Sequence, residues 1–190
     1  MGYRLTPSQT IGPFFHKALL REDGGDLADP AASGERIVIE GRVIDGDGAP
    51  VSDAMIEIWQ ANAAGRYDHP DDPRLKSRDP HFHGFGRIGT DSDGRFRFHT
   101  IKPGPVREDG DFIQAPHISL MIFARGLLRH LATRIYFPDE TLNETDPVLC
   151  TVPPDRRGTL IAEVSRVGPK THYRLDIFLQ GSNETVFFDF

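Results

Sequence analysis

Glycine and proline punctuate this chain so often, 19 and 15 times in 190 residues, that few helices of ordinary length could form. Proline breaks a helix interior and glycine weakens it, so the segments between them are left to short extended strands joined by turns. Several of those segments read as strands directly. Arg36–Ile44 is rich in β-branched residues and ends at Asp45-Gly46-Asp47-Gly48, a strong turn signal, with Ala54–Gln60 following as its expected partner. Arg95-Phe96-Arg97-Phe98-His99 alternates polar and aromatic residues with period two, which predicts one wet and one buried face. Ile118–Phe123 is almost wholly apolar and predicts a central strand, with Leu131–Phe137 returning beside it after a turn at Arg125-Gly126. Tyr173–Ile177 and Val186–Phe188 predict a hairpin about Gly181-Ser182-Asn183. The one helical candidate is Asp155–Glu163, and Glu22–Gly34 reads as an exposed connection. The expectation is an all-β sandwich of mixed short strands, with long loops and little helix.

The length suits a single domain over residues 1–190, with residues 1–34 as an extended N-terminal arm. A formal net charge of −6, with both signs spread along the chain, argues against a nucleic-acid partner and means that an anionic ligand needs local cations. Cys150 is the only cysteine, so no internal disulfide can form; that fits a reducing compartment, and the residue is expected to be a small buried apolar one. The first residues lack the apolar core of a signal peptide and no later run is long enough to span a bilayer, so the expected location is cytoplasmic, without a membrane partner.

Motifs that could carry chemistry are few. His81-Phe82-His83 could chelate a metal from one strand face, but Pro80 and Gly84 flank it and favour a surface loop; His69 and Asp71 are its nearest possible co-ligands in sequence. Asp91-Ser92-Asp93-Gly94 lacks the spacing of a calcium loop and reads as a β-turn. Glycine-rich phosphate loops, a Gly-x-Ser-x-Gly elbow and Cys-x-x-Cys are absent.

Three blocks are more specific: Ile58-Trp59-Gln60-Ala61-Asn62, Gly94 through Pro105 with Thr100-Ile101-Lys102-Pro103-Gly104-Pro105 at its end, and Ala115-Pro116-His117-Ile118-Ser119. In order and spacing they resemble the intradiol ring-cleavage dioxygenases. Thr6–Phe14, Phe123-Ala124-Arg125-Gly126, Thr133–Phe137, Tyr173–Ile177 and Glu184–Phe190 extend the resemblance over nearly the whole chain. Members of that family hold a ferric ion, Fe(III), with two tyrosinates and two histidines. By resemblance, Arg74 falls near the first tyrosine position, Val106 replaces the second, His117 keeps one histidine and Ser119 replaces the other. One imidazole cannot hold ferric iron without the hard anionic oxygens that stabilise the +3 state. The expectation is therefore no metal on this chain, with His117 hydrogen-bonded inside the sandwich.

The resemblance is to the alpha-type chain of two-chain members, whose homologous beta-type subunit carries the iron. It implies that Thr10, Gly12, Pro13 and Phe14 line the partner's substrate cleft and that Arg125 grips the substrate carboxylate. The implied substrates are 3,4-dihydroxybenzoate and dioxygen, the implied product is 3-carboxy-cis,cis-muconate, and the implied assembly is a higher-order hetero-oligomer. A glycine at 12 and a fixed φ at 13 suit close approach to a ligand, and the planar fork of an arginine suits a carboxylate. Two other readings are a transthyretin-like binding module without catalysis, and a self-sufficient metalloenzyme using His69, His81 and His83.

Overall fold

The structure, a computed structural model, describes residues 9–12, 18–21, 23–74, 78–107, 112–168 and 170–189. In chain order its strands are β1 (Arg36–Ile44), β2 (Met55–Gln60), β3 (Phe85–Gly89), β4 (Arg95–Ile101), β5 (Val106–Arg107), β6 (Ile113–Gln114), β7 (His117–Phe123), β8 (Leu131–Tyr136), β9 (Glu163–Val167), β10 (Lys170–Arg174) and β11 (Ile177–Phe178). They form a five-stranded sheet of order β11-β1-β10-β9 with β4 also paired to β1, a four-stranded sheet of order β3-β2-β7-β8, and a β5-β6 ribbon. Ile37, Ile39, Phe96 and Phe98 of the first sheet pack against Ile56, Ile58, Ile118, Leu120 and Ile122 of the second in one buried cluster. Two sheets sharing one core make the expected sandwich, and burying each such side chain stabilises it by about 1.5–3 kcal/mol. No helix among the described residues is long and apolar enough to cross a membrane.

The turn signals fold as read. Asp45 Oδ1 accepts from the N–H groups of Asp47 and Ala49, and Asp91 Oδ1 does the same for Asp93 and Arg95. Gly94 takes a φ of +71°, the left-handed region that its turn requires. The fold departs from expectation in three places. β1 and β2 are not partners: β1 pairs antiparallel with β4 and parallel with β10 and β11, whereas β2 lies between β3 and β7. After the turn the chain meets β1 at a single Ile44–Pro50 bridge among the described residues, closed by the Asp45 N–H to the Ala49 carbonyl and the Val51 N–H to the Val43 carbonyl. The C-terminal hairpin is also absent, because β10 pairs with β9 and β1, while the Phe188 N–H crosses to the Ala132 carbonyl of the other sheet. The expected helix shrinks to a 3-10 turn at Arg157–Leu160, and β9 begins at Glu163.

Two burial expectations are corrected as well. Within Glu22–Gly34, Leu27 is buried in the core; its N–H donates to the His99 carbonyl and its own carbonyl accepts from the His83 N–H. Cys150 is exposed, because Leu149 takes the inward position in the 3-10 turn Leu149–Thr151.

Candidate functional site

Alternation along β7 decides where chemistry can sit. Ile118, Leu120 and Ile122 enter the core, so His117, Ser119, Met121 and Phe123 must face the opposite side of the sheet. The register with β8 places Tyr136 opposite His117, Arg134 opposite Ser119 and Ala132 opposite Met121. This outer face has a sealed half around His117 and an open half around Met121. His117 is thus hydrogen-bonded as expected, but beneath a covering layer on the outer face and not in the sandwich interior.

The sealed half is assembled by interlocking loops. Asn62 Oδ1 accepts from the N–H groups of Ala64 and Arg66, a tight turn that delivers Tyr67. Gly104 donates its N–H to the Asn62 carbonyl, and a Cβ at 104 would stand 2.3 Å from the Ala63 carbonyl oxygen, so only glycine lets the two blocks meet. Tyr67 then stacks on Trp59, with ring centroids 5.7 Å apart, and its hydroxyl lies 3.2 Å from His117 Nε2. His117 Nδ1 is 2.8 Å from the Ala115 carbonyl, which can only accept, so Nδ1 carries the proton and Nε2 accepts from Tyr67. Burial, with the Arg134 charge second, pushes the His117 pKa down to about 4, against the opposing bond to Ala115, so the ring is neutral near pH 7.

A second network closes over the first. Arg134, buried, donates from Nη1 to Gln114 Oε1 at 2.8 Å and to the Tyr136 hydroxyl oxygen at 3.4 Å. Tyr136 donates onward to Asp146 Oδ1 at 3.0 Å, and burial raises the pKa of its phenol. Asp146 is fully buried and also accepts the N–H groups of Ala115, Val148 and Leu149. A small apolar cluster of Ala115, Tyr136, Leu149, Val152 and Leu160 caps the arrangement.

These contacts revise one sequence placement. The phenol that reaches His117 belongs to Tyr67, so Tyr67 takes the first tyrosine position. Arg74 instead sits over the Tyr67 ring at 5.7 Å, pairs with Asp72 at 2.9 Å and ties the loop to the Arg107 carbonyl at 2.8 Å. Of the four donors in the family pattern, Tyr67 and His117 stand here, while positions 106 and 119 are buried Val106 and half-buried Ser119. Half a donor set beside a fixed guanidinium does not fit a ferric ion. Sequence reading missed Tyr67, Arg134 and Asp146; the available signal for Tyr67 was its place just after the Ile58–Asn62 block and the turn glycine Gly65.

The open half brings together two features that lie far apart in sequence. Thr10 Oγ1 accepts from the Gly126 N–H at 2.9 Å, which sets residues 9–12 against the turn that carries Arg125. Arg125 is 76% exposed, and its guanidinium pairs with the Asp53 carboxylate. A Cβ added at Gly12 would meet nothing within 4 Å among the described residues. Pro13 and Phe14 lie outside the described residues. Beside this turn runs a groove of about 520 Å³, lined by Ile11, Met121, Phe123, Leu127, Leu128 and Phe188 among others. Met121 and Leu128 are exposed there. The remaining histidine candidates do not converge: His69 lies near Asp71, His81 near Asp29 and His83 near Asp68, each as an exposed loop residue.

The family described as Dioxygenase matches residues 11–181. The protocatechuate 3,4-dioxygenase alpha chain of Burkholderia cepacia is 44% identical, over 97% of this chain and 96% of that one. The corresponding alpha chain of Pseudomonas putida is 46% identical over the same shares. The protocatechuate 3,4-dioxygenase beta chain of Burkholderia cepacia is 38% identical, over 94% of this chain and 77% of that one.

Proposed function

The chain belongs to the intradiol ring-cleavage dioxygenase family, and from that membership we propose that it is the alpha subunit of a protocatechuate 3,4-dioxygenase. In this reading it completes the substrate cleft of a homologous beta subunit, which holds Fe(III) and cleaves 3,4-dihydroxybenzoate with dioxygen to 3-carboxy-cis,cis-muconate. Residues 1–34 form the arm, with Thr10, Gly12, Pro13 and Phe14 as cleft wall. Arg125 presents two parallel N–H donors to the substrate carboxylate. The groove beside Met121 and Leu128 receives the beta subunit, because exposed apolar side chains grouped in this way gain most from being covered.

One observation carries the reading. Thr10 and Arg125 lie beyond the Phe123 end of β7, whereas Tyr67 and His117 lie at its other end. Six strand steps separate those ends, roughly 20 Å at about 3.3 Å per residue, several times the reach of an arginine side chain. A wall built from Thr10 and Arg125 therefore cannot close over this chain's own half donor set, which supports a cleft supplied by another chain.

The test is co-expression with the beta subunit, with and without residues 1–15. The deletion precedes β1 and removes none of the described strands, so the complex should form and keep its iron while kcat/KM for 3,4-dihydroxybenzoate collapses. Unchanged turnover by the truncated complex would reject the cleft-wall role.

A further inference from the structure

We propose that Arg134 is the residue that keeps iron out of this chain, its guanidinium occupying the pocket as a permanent cation, with Val106 and Ser119 as adjustments to it. The inference rests on assigning positions 67, 106, 117 and 119 to the family's donor set, and is independent of which chain supplies the cleft.

Both altered positions connect to Arg134 through the sheet registers, Ser119 directly and Val106 by way of Gln114. Ser119 is its direct partner across β7 and β8, so their Cβ atoms lie about 4.5–5.5 Å apart on the same face. Val106 is the register partner of Gln114, and Gln114 Oε1 is what holds Arg134 Nη1. The two retained positions, Tyr67 and His117, bond to each other instead. An imidazole at 119 would project beside the guanidinium, and a ferric ion would face a cation that cannot be relieved by losing a proton, since arginine does not deprotonate in proteins. The pocket already has its counter-charge arranged, with Arg134 linked through the Tyr136 hydroxyl to buried Asp146. Serine at 119 and valine at 106 leave room and add no charge.

The prediction is an ordering of variants of the isolated chain. Val106→Tyr/Ser119→His restores the donors but keeps Arg134; the same pair with Arg134→Gln removes the cation. After loading with ferric iron and desalting, the triple variant should retain at least roughly tenfold more iron than the double, a ratio well within the repulsion between charges a few ångströms apart. It should also show the visible absorption of tyrosinate bound to ferric iron. Arg134→Lys in the donor-restored chain keeps a cation, though one that can shed its proton, and should load less iron than the glutamine variant. Cooperative thermal unfolding of each variant establishes that it is folded, and Arg134→Met replaces Arg134→Gln if the latter is not. Equal iron in the double and triple variants would overturn the proposal, as would a folded triple variant that takes none, or a lysine variant that loads as well as the glutamine one. Failure of both neutral replacements to fold would overturn it too, because a guanidinium demanded by the fold is no barrier specific to metal.

Discussion

The two halves of one strand face show how a shared scaffold separates support from chemistry. Around His117 each polar group named above has its partner inside the chain: Tyr67 with His117, His117 with Ala115, Arg134 with Gln114, and Tyr136 with Asp146. Around Arg125 a largely exposed guanidinium is held by the partly buried Asp53 carboxylate, and apolar side chains line a groove open to solvent. A group fully satisfied within the fold has nothing left to offer a ligand, whereas an exposed guanidinium beside a groove does. The sealed half should therefore govern stability and the open half turnover.

The strongest challenge to that division is Asp146→Ala. Four donors converge on this buried carboxyl, and removing it strands them and leaves Arg134 without its linked counter-charge, a loss of about 3–5 kcal/mol of stability. Denaturant unfolding measures it. A reconstituted complex that survives the substitution should keep its preference between 3,4-dihydroxybenzoate and catechol. A changed preference with little loss of stability would show that the sealed half takes part in recognition.

Acid provides a second probe of the same half. His117 titrates near 4 in the fold against an ordinary value near 6.5, so between those limits the unfolded chain binds the extra proton and stability rises with pH. Its contribution is complete above pH 6.5 and is lost as pH falls toward 4, with a slope of about 1.4 kcal/mol per pH unit from this one group. His117→Gln should flatten the stability profile in that window. An unchanged slope would mean that the ring is more open to water than its neighbours allow.

The smallest expected effect is the most selective. Arg125→Ala removes an exposed side chain and should change stability by no more than about 0.5 kcal/mol. In the reconstituted complex it removes a charge-assisted contact worth roughly 1.5–3 kcal/mol, about a ten- to hundredfold fall in kcat/KM for 3,4-dihydroxybenzoate. Catechol, which has no carboxylate, should be nearly spared. Equal losses for both substrates would return Arg125 to a surface ion pair.

Much of the strand framework was legible because period-two patterning reports directly on burial: Arg95–His99 alternates as written, and Ile118–Phe123 is central as its apolar run requires. Pairing was less legible, since nothing local in Arg36–Ile44 reveals that its partners begin at residues 95 and 170. The site divided in the same way. Thr10 and Arg125 could be singled out as residues, but the bond from Gly126 to Thr10 spans 116 positions and exists only in three dimensions. Tyr67 and Arg134 escaped notice for a related reason: their meaning depends on what stands across a strand or a loop from them, at His117 and Ser119.

The Arg125–Asp53 pair has a consequence for ligand choice. Asp53 lies just before β2, and the Met55–Phe123 register brings it to the end of the sheet from which Arg125 emerges. In the role proposed for Arg125, an arriving carboxylate would not meet an idle cation; it would enter by exchange, displacing one anion with another. Neutral molecules have no means of making that exchange and leave the pair closed. In that role Asp53 would be a resident competitor for the guanidinium, one that an incoming carboxylate has to displace.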